Sequence, residues 1–372
     1  GEPFGNSSGK VTVKYINQNG DEIADAIQAN GSGLFGGSYT TEQKKIPNYE
    51  FKEVDSSNSG ATGFYTESPQ TVIYKYQGKE VGETGKITVE YRNQEGKLLD
   101  QAFITGRYGD IYDVSLNHLK EFDYYTRDTL PTNAKGTINN QPQTVIVTYT
   151  GKQVGNAQGK VKAKYINQEG LEISTAEDAT GSGLFGSPYT TEQKEIPNYE
   201  FKEIDSSGAK QTGVYKEAPQ MIVYKYKGKS VGENGKITIE YRNQVGALLG
   251  TEFIIGSYGD KYDIERDNDG ALVKNFDHYT INSLPENKKG LVSNEPQLIT
   301  VTYTGELVGE DKGKVTATYV NQAGEVLSEA TKANGDGRFG SPYTTEQKEI
   351  ANYDFTGVGP TGAPQNGTYS MK

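Results

Sequence analysis

An internal repeat constrains the fold more than any other feature of the sequence. The segment 31–57, GSGLFGGSYTTEQKKIPNYEFKEVDSS, recurs at 181–207 with 23 of its 27 positions identical. A looser copy starts at Gly335 with GDGRFGSPYTTEQKEIANYDF. A segment repeated at a nearly fixed spacing indicates a structural unit repeated along the chain, so the sequence predicts a tandem array of small units.

The composition argues against one large hydrophobic core. Apolar residues make up 33% of the 372 residues, and the mean hydropathy is −0.72. The 27 tyrosines and 12 phenylalanines can fill several small cores instead. Such cores are marginally stable, because a small unit buries only a modest share of its surface.

Charge and residue types narrow the possible functions. The net charge of −11 argues against nucleic acid or an anionic membrane as a partner. The absence of cysteine excludes disulfide bonds, thiol catalysis and thiolate metal sites. No apolar run reaches the roughly 18 residues of a membrane span, and no signal-peptide pattern opens the chain. We therefore expect the chain to be part of a longer protein.

The first unit begins and ends with strands. In VTVKYIN, Val11, Val13 and Tyr15 alternate with polar residues, which predicts a half-buried strand. Asn19-Gly20 then suits a tight hairpin turn. The run TVIYKY at 71–76 has the same alternation and predicts the closing strand of the unit.

The middle of this unit predicts a loop and a short helix. The Gly-rich segment 31–37 leads into TTEQKK, where Thr40 and Gln43 have the spacing of a capping box. Pro47 prevents the helix from extending further. We expect one or two helical turns at this point.

A second type of unit alternates with the first. It keeps the opening strand and the closing strand but replaces the middle with GRYGDIYDV and FDYYTRDTLP. We name the two types A and B. The predicted domains are a leader at 1–9, module A1 at 10–79, B1 at 86–152, A2 at 160–229, B2 at 236–305 and A3 at 314–372.

The modules predict a mainly β or α+β fold, each module holding a mixed sheet and one short helix. Linkers of the form G-K-x-V-G follow the closing strands at Gly78, Gly151 and Gly228. Short linkers between compact modules favour an elongated, semi-stiff string over a collapsed globule.

Module A3 stops before the counterpart of the closing strand TVIYKY. We expect its sheet to be incomplete, and the module to be frayed or to borrow a strand from elsewhere. We also expect the natural chain to continue past Lys372.

The order of these motifs resembles a known family. A V-x-V-x-Y strand, an N-x-x-G turn, a Gly-rich loop, YTTEQK-x-IPNYEF and Q-x-V-I-Y-K-Y are similar to the MucBP repeat, the mucin-binding family of Gram-positive surface adhesins. The resemblance covers the A modules closely. The B modules resemble the repeat at both ends and depart from it in the middle.

The resemblance implies a fold, a partner and a location. The family fold is a small β-grasp-like module with a mixed sheet. The implied partner is mucin or another host glycoprotein carrying glycans. The implied location is the extracellular, cell-wall-anchored surface of a bacterium, with the anchor and signal peptide outside this chain.

The candidate ligand-binding residues are apolar and aromatic groups on or beside the loops. Aromatic faces suit the C–H surfaces of sugars, and nearby amides and carboxylates can bond sugar hydroxyls. In the A modules they are Leu34, Phe35, Tyr39, Leu184, Phe185, Tyr189, Arg338, Phe339 and Tyr343. In the B modules they are Tyr108 and Tyr258, within a wider set of Tyr112, Tyr124, Tyr125, Tyr262 and Tyr279.

One alternative and one observation bear on these residues. The rings can instead pack inside the small core of their own module. Arg338 replaces Leu34 and Leu184 in the third A copy, which indicates that this side chain points outward.

Catalytic motifs are absent or out of context. Gly31 begins a G-x-G-x-x-G pattern, but Pro47 leaves no room for the long helix of a dinucleotide site. The two histidines, His118 and His278, do not occupy equivalent positions, which is typical of solvent-facing loop residues. The sequence therefore predicts a chain that is not an enzyme and that uses no cofactor.

Two further possibilities concern calcium and covalent cross-links. Glu265, Asp267 and Asp269 resemble the start of an EF-hand loop, but Phe276 stands where the bidentate carboxylate belongs, which favours an ordinary acidic turn over a metal site. Lys14 and Lys75 lie on the polar faces of their strands, which favours exposed lysines over intramolecular Lys-Asn cross-links.

Two functions remain open for a chain that we expect to be a monomeric fragment of a surface protein. In the first, the modules bind mucin glycans weakly, and the array gains strength because a second contact forms at high effective concentration. In the second, the modules form a stalk or spacer that presents a distal binding domain away from the cell wall.

Overall fold

The computed structural model describes residues 9–155, 159–266, 271–308 and 313–372. The chain divides into two compact units. The first consists of Gly1–Val161, Asp178–Thr190 and Thr212–Gln220, and the second of Lys162–Glu177, Thr191–Gln211 and Met221–Lys372. Modules A1 and B1 belong to the first unit, B2 and A3 belong to the second, and A2 contributes to both.

Strands take up 47% of the chain and helices 4%, so the fold is mainly β. Module A1 contains β1 (Val11–Ile16), β2 (Glu22–Gln28), β3 (Asn30–Gly31), β4 (Ser38–Thr40), β5 (Tyr49–Val54), β6 (Thr62–Phe64) and β7 (Gln70–Gly78). Module B1 contains β8 (Ile87–Asn93), β9 (Leu98–Ile104), β10 (Ile111–Asp113), the helix α1 (Val114–Asn117), β11 (Tyr125–Arg127), β12 (Lys135–Thr137) and β13 (Gln143–Gly151).

The remaining strands repeat these two patterns. Module A2 contains β14 (Val161–Ile166), β15 (Glu172–Asp178), β16 (Thr180–Gly181), β17 (Pro188–Thr190), β18 (Tyr199–Ile204), β19 (Thr212–Val214) and β20 (Gln220–Gly228). Module B2 contains β21 (Ile237–Arg242), β22 (Leu248–Ile254), β23 (Lys261–Asp263), β24 (Tyr279–Ile281), β25 (Lys289–Leu291) and β26 (Gln297–Gly305). Module A3 contains β27 (Thr316–Val320), β28 (Val326–Lys332), β29 (Pro342–Thr344) and β30 (Asn366–Thr368). Short 3-10 turns lie at Gly82–Gly85, Thr132–Ala134 and Glu286–Lys288.

Four modules are built on a mixed four-stranded sheet, which confirms that prediction. In A1 the strand order is β2-β1-β7-β5, where β7 runs parallel to β1 and antiparallel to β5. The orders β9-β8-β13-β11, β15-β14-β20-β18 and β22-β21-β26-β24 repeat it. A parallel pair of strands needs a long crossover connection. In each of these modules the residues between the two central strands in the sequence form that crossover.

The core of A1 lies on one face of this sheet. Val11, Val13 and Tyr15 on β1 are at most 1% exposed. Val72 and Tyr74 on β7 pair with Val13 and Tyr15 in register and are buried on the same face. The alternation read from the sequence therefore identified the buried face. The small second sheet, β3-β4-β6, packs into the same core.

Buried tyrosine hydroxyls hold the crossover of A1 against the sheet. Tyr15 on β1 donates to the carbonyl oxygen of Glu42 at 3.1 Å, and Tyr76 on β7 donates to that of Lys44 at 2.6 Å. The Lys44 ammonium also lies 4.5 Å from the centroid of the Tyr15 ring. The equivalent donors and carbonyl acceptors are Tyr91 to His118 and Tyr149 to Lys120 in B1, Tyr165 to Glu192 and Tyr226 to Lys194 in A2, and Tyr241 to Leu272 and Tyr303 to Lys274 in B2.

These bonds explain why the helix predicted from TTEQKK is wrong. Residues 41–46 are irregular, and the α-helix found among the described residues is the four-residue α1 in B1. An α-helix would use the carbonyls of Glu42 and Lys44 for bonds along its own axis. Here those carbonyls accept hydrogen bonds from tyrosine hydroxyls on β1 and β7. A tertiary interaction therefore replaces the local one.

The predicted hairpin after the first strand is present. Strands β1 and β2 pair antiparallel, and Gly20 adopts the left-handed φ of +89° that the turn requires. The buried Asn17 amide oxygen accepts bonds from the backbone N–H groups of Asn19 and Asp21, both at 2.9 Å. Asn93, Asn167, Asn243 and Asn321 make the same pair of bonds in the other modules.

Module A3 has a smaller sheet than the other modules. In its described residues β27 pairs with β28 alone. Tyr353 and Phe355, which correspond to Tyr49 and Phe51, are 47% and 55% exposed. Tyr319 still donates to the carbonyl of Glu346 at 2.9 Å, so one of the two crossover bonds persists.

Burial of these tyrosines predicts unfolding in alkali. Burial, with the Glu177 carboxylate as a smaller contribution, raises the pKa of Tyr165 from 10.0 to about 12. Burial, with Glu252, raises the pKa of Tyr241 to about 12. Because the folded state holds the phenolic proton more tightly, this stabilisation is complete below pH 10 and is lost as the pH rises towards 12.

We therefore expect cooperative loss of the β-sheet circular dichroism signal between about pH 10 and 12, in step with phenolate absorbance from the buried rings. Recovery of both signals on return to neutral pH is the control for chemical damage. Full phenolate absorbance with an unchanged β-sheet signal would contradict the placement of these hydroxyls.

Candidate functional site

Three predicted ligand-binding tyrosines lie in module cores. Tyr39, Tyr189 and Tyr343 are 2%, 4% and 6% exposed. The Tyr39 ring packs edge-on against Tyr65 with the centroids 5.6 Å apart, and its hydroxyl donates to the carbonyl of Gly60 at 3.1 Å. Rings buried to this extent have no free face for a sugar.

Four other predicted residues lie where one module meets the next. We call this contact a joint, formed by the end of the closing strand and the linker of one module with the loop of the following module. The four residues are Tyr108, Phe185, Tyr258 and Phe339. At the A1–B1 joint the Tyr108 ring meets Tyr49 edge-on at 5.4 Å, and at the A2–B2 joint Tyr258 meets Tyr199 at the same distance.

The B-to-A joints carry an extra ring. Phe185 stacks on Tyr124 with the centroids 5.0 Å apart and packs edge-on against Tyr125 at 5.3 Å. In the last joint, Phe339 packs against His278 at 5.1 Å and Tyr279 at 5.2 Å. The loop phenylalanines of A2 and A3 are therefore held between two rings of the preceding module.

A glutamine bridges each joint. In A1, the Gln18 amide oxygen accepts from the backbone N–H of Gly78 at 3.1 Å, and its amide nitrogen donates to the carbonyl of Tyr108 at 3.0 Å. Gln94, Gln168 and Gln244 make the same two bonds at the other joints. This residue follows the buried asparagine of the hairpin turn, so the turn fixes its position.

The first glycine of the linker permits the close approach. A methyl group added at Gly78 would lie 1.8 Å from the carbonyl oxygen of Tyr108, and at Gly151 it would lie 2.0 Å from that of Phe185. Such distances are impossible for any side chain. The first glycine of the G-K-x-V-G motif is therefore required by the contact with the following module.

The linker is hydrogen-bonded on both sides. The Lys152 N–H donates to the carbonyl of Tyr124 at 2.7 Å, and the Lys152 carbonyl accepts from Phe185 at 3.0 Å. Two residues on, Val154 donates to the carbonyl of Gly183 at 2.8 Å. The other three linkers repeat this pattern, so the described residues of each linker are hydrogen-bonded parts of the joints.

The remaining loop residues differ between modules. Leu34 and Leu184 are half-buried, and Phe35 is 51% exposed. Arg338 is half-buried too, and its guanidinium donates to the carbonyl of Gly305 at 3.2 Å. The Arg338 side chain thus points away from its own module, as inferred, and contacts the preceding module through this hydrogen bond.

His278 and the candidate lysines have ordinary structural partners. His278 lies in a turn at the last joint with its side chain 41% exposed, and its Nδ1 is 3.3 Å from a Glu306 carboxylate oxygen. Lys14 pairs with Glu22 at 2.6 Å, and Lys75 pairs with Asp55 at 3.3 Å.

Local hydrogen bonds tune the Asp55 carboxylate. The backbone N–H and the hydroxyl of Ser57, followed by Lys75, hold the pKa of Asp55 below its usual value. Both Ser57 bonds lie within the turn that follows β5, so this arrangement is that of a stabilised turn.

Within the described ranges no three His, Asp or Glu side chains gather where a metal ion could bind. Of the EF-hand-like residues, Glu265 pairs with Lys288 at 2.8 Å, while Asp267 and Asp269 lie outside the described residues. No helix in the described part of the chain has the length and apolarity needed to cross a membrane.

Sequence reasoning missed a pair of exposed rings on the B modules. Phe103 on β9 is 48% exposed and Phe253 on β22 is 52% exposed. The Lys86 and Lys236 ammonium groups lie 4.5 and 4.7 Å from the respective ring centroids. The signal was available, because both rings fall on the outward face of an alternating strand.

Comparison with known proteins identifies the modules. Five stretches match the MucBP domain model, at residues 10–77, 86–150, 160–227, 236–304 and 314–372. Internalin J of Listeria monocytogenes serotype 4b (strain F2365) is 30% identical over 365 residues, which cover 97% of this chain and 37% of the internalin. Muramidase-released protein of Streptococcus suis is 24% identical over 219 residues, which cover 56% of this chain and 15% of that protein.

The chain thus spans about a third of the length of the curated relatives it matches first. Among solved structures, Mub-RV aligns with a TM-score of 0.18 at 10% identity, covering 60% of this chain and 99% of that one. The type 2 repeat of the mucus-binding protein MUB from Lactobacillus reuteri aligns with a TM-score of 0.13 at 15% identity, covering 38% and 99%. Membership rests on the five family matches, which together take in most of the sequence: the chain belongs to the MucBP domain family.

Proposed function

We propose that the chain is a repeat segment of a bacterial surface adhesin that binds the glycans of mucin or another host glycoprotein. The observation that carries this proposal is the presence of five MucBP matches in one chain. Each module binds weakly, and the array binds more strongly because a second contact forms at high effective concentration.

The joints restrict which predicted residues can serve repeatedly as ligand contacts. The loops of B1, A2, B2 and A3 are covered by the preceding module, and Tyr39, Tyr189 and Tyr343 are buried. Leu34 and Phe35 remain as the more accessible loop pair. One such loop cannot supply avidity.

The exposed rings of the B modules are better candidates for a ligand contact that is repeated along the chain. Phe103 lies opposite Thr88 on the neighbouring strand, and Phe253 lies opposite Thr238. Each ring offers an apolar surface to the C–H face of a sugar. The adjacent lysine and threonine can bond sugar hydroxyls or an acidic sugar group. We propose these two faces as the repeated glycan contacts.

Retention of the full chain on immobilised mucin tests this proposal. We expect Phe103→Ala to weaken retention modestly and the double variant Phe103→Ala/Phe253→Ala to weaken it by about tenfold or more, since avidity falls when only weak contacts remain. Phe35→Ala is the matched control for loss of one exposed ring.

Each outcome separates the alternatives. If the double variant binds like the unmodified chain while Phe35→Ala does not, the contact lies on the A1 loop. If the unmodified chain is not retained on mucin at all, the adhesin proposal itself is wrong.

A second function, a stalk that presents a distal domain, is favoured by the joints. Each joint combines a glutamine bridge, aromatic packing and a hydrogen-bonded linker, all of which resist bending between neighbouring modules. A spacer needs that resistance, whereas a set of independent binding sites does not.

The glycine of a joint tests the stalk. We expect Gly151→Ala to open the B1–A2 joint, because the new methyl group would lie 2.0 Å from the Phe185 carbonyl oxygen. Spin labels on cysteines introduced at Glu121 and Thr212, in a chain without natural cysteines, report the distance distribution across this joint.

The expected result is a narrow distribution that broadens in Gly151→Ala. Gly359→Ala is the control, since its methyl group would meet no atom within 4 Å. A distribution that is already broad before substitution would contradict a stiff joint and with it the stalk.

A further inference from the structure

The two kinds of joint differ in chemistry at one shared backbone position. In the A modules this residue is Asn48 or Asn198, and in the B modules it is Tyr124 or His278. All four have a left-handed φ between 64° and 67°. The backbone at the end of each module is therefore the same, and the side chain distinguishes the two types.

We call the part of a module that meets the following module its end; it carries Asn48 or Asn198 in an A module, and Tyr124 or His278 in a B module. An A-type end contacts the loop of the following B module through side-chain amides. The Asn140 side chain donates to the Asn48 amide oxygen at 2.9 Å, and Asn294 donates to Asn198 at the same distance. The bridging Gln18 also donates to the Asp110 carboxylate at 2.9 Å. The A module contributes a single ring to this joint, such as Tyr49 against Tyr108.

A B-type end meets an A-type loop through rings. Phe185 lies between Tyr124 and Tyr125, and Phe339 lies against His278 and Tyr279. The bridging Gln94 here donates to the hydroxyl of Ser187 at 2.8 Å in place of a carboxylate.

Exchanging the partners breaks both sets of contacts. An A-type end on an A-type loop would set an asparagine amide against the Phe185 ring, which removes one aromatic face and leaves the amide without its partner. A B-type end on a B-type loop would set Tyr124 of B1 against Asn294 of B2, whose amide would then lose its acceptor. Each end thus carries a cost against the wrong loop as well as contacts with the right one.

We propose that each A-type loop is a docking surface selective for the C-terminal end of a B-type module, so that the alternating order of the modules is encoded in the joints. The selective elements are the two adjacent rings of the B-type end and the phenylalanine of the loop. The A1 loop has the same GSGLFG sequence as the A2 loop, with Phe35 at the position of Phe185.

The existing B1–A2 joint provides the first test. Tyr124→Asn converts the B-type end to the A-type residue, and asparagine suits the left-handed backbone as it does at Asn48. Hydrogen exchange of the Phe185 amide, which donates to the Lys152 carbonyl, should become about threefold to tenfold faster with the loss of the stacked ring. Tyr124→Phe keeps the ring and loses only the hydrogen bond between the Tyr124 hydroxyl and Glu217, so exchange should accelerate less in this variant than in Tyr124→Asn.

The result is interpretable because B1 supplies its own reference. Unchanged exchange of the β8 and β13 amides shows that B1 remains folded in each variant. Exchange at Phe185 that is the same in Tyr124→Asn and in Tyr124→Phe would overturn the proposal, because the ring would then make no difference to docking.

The A1 loop provides the second test. Residues 86–159, placed before Lys10 in the otherwise complete chain, put a B-type end next to the Phe35 loop. We expect amides 34–37 to become protected to the level of 184–187, and expect the same graft carrying Tyr124→Asn to protect them less. Equal protection by both grafts, or by neither, would overturn the selectivity.

Discussion

The structure depends on two tyrosine hydroxyls in each complete module. They stand on the parallel central strands and bond two carbonyls of the crossover, which are those of His118 and Lys120 in B1. A chain with few apolar residues cannot hold its long crossover by hydrophobic contact alone. Tyrosine supplies both a large buried ring and a polar tip that satisfies the backbone, so the same residue fills the core and fixes the loop above it.

This arrangement connects the core of a module to its neighbour. The crossover that Tyr91 and Tyr149 hold in B1 leads directly into Tyr124 and Tyr125, which receive Phe185 of the next module. The hairpin asparagine places the bridging glutamine at the same end. Contacts inside one small module therefore position every part of the joint, and the sites left for a ligand are those that the joints do not cover.

Much of this fold was predictable from the sequence, because strands alternate in a way that local patterns reveal. Tyr15 and Tyr74 were assigned to a buried face, and they lie there. The helix at Thr40 to Lys45 was predicted wrongly, because its capping pattern is local whereas the bonds that prevent it come from β1 and β7. The joints were missed for a related reason: spacing shows that Phe185 stands on a glycine loop, but not that Tyr124 covers it. The recurring linker glycine at Gly78 and Gly151 was the available signal of that contact.

The most direct test of this account couples the core of one module to the surface of the next. In the variant Tyr91→Phe/Tyr149→Phe both rings remain but both crossover bonds are lost. Hydrogen exchange of the A2 loop around Phe185, with the A2–B2 joint around Tyr258 as the internal reference, is the measurement. The account predicts faster exchange in the A2 loop although no residue of A2 has changed. Unchanged exchange there, with the B1 crossover itself loosened, would contradict it.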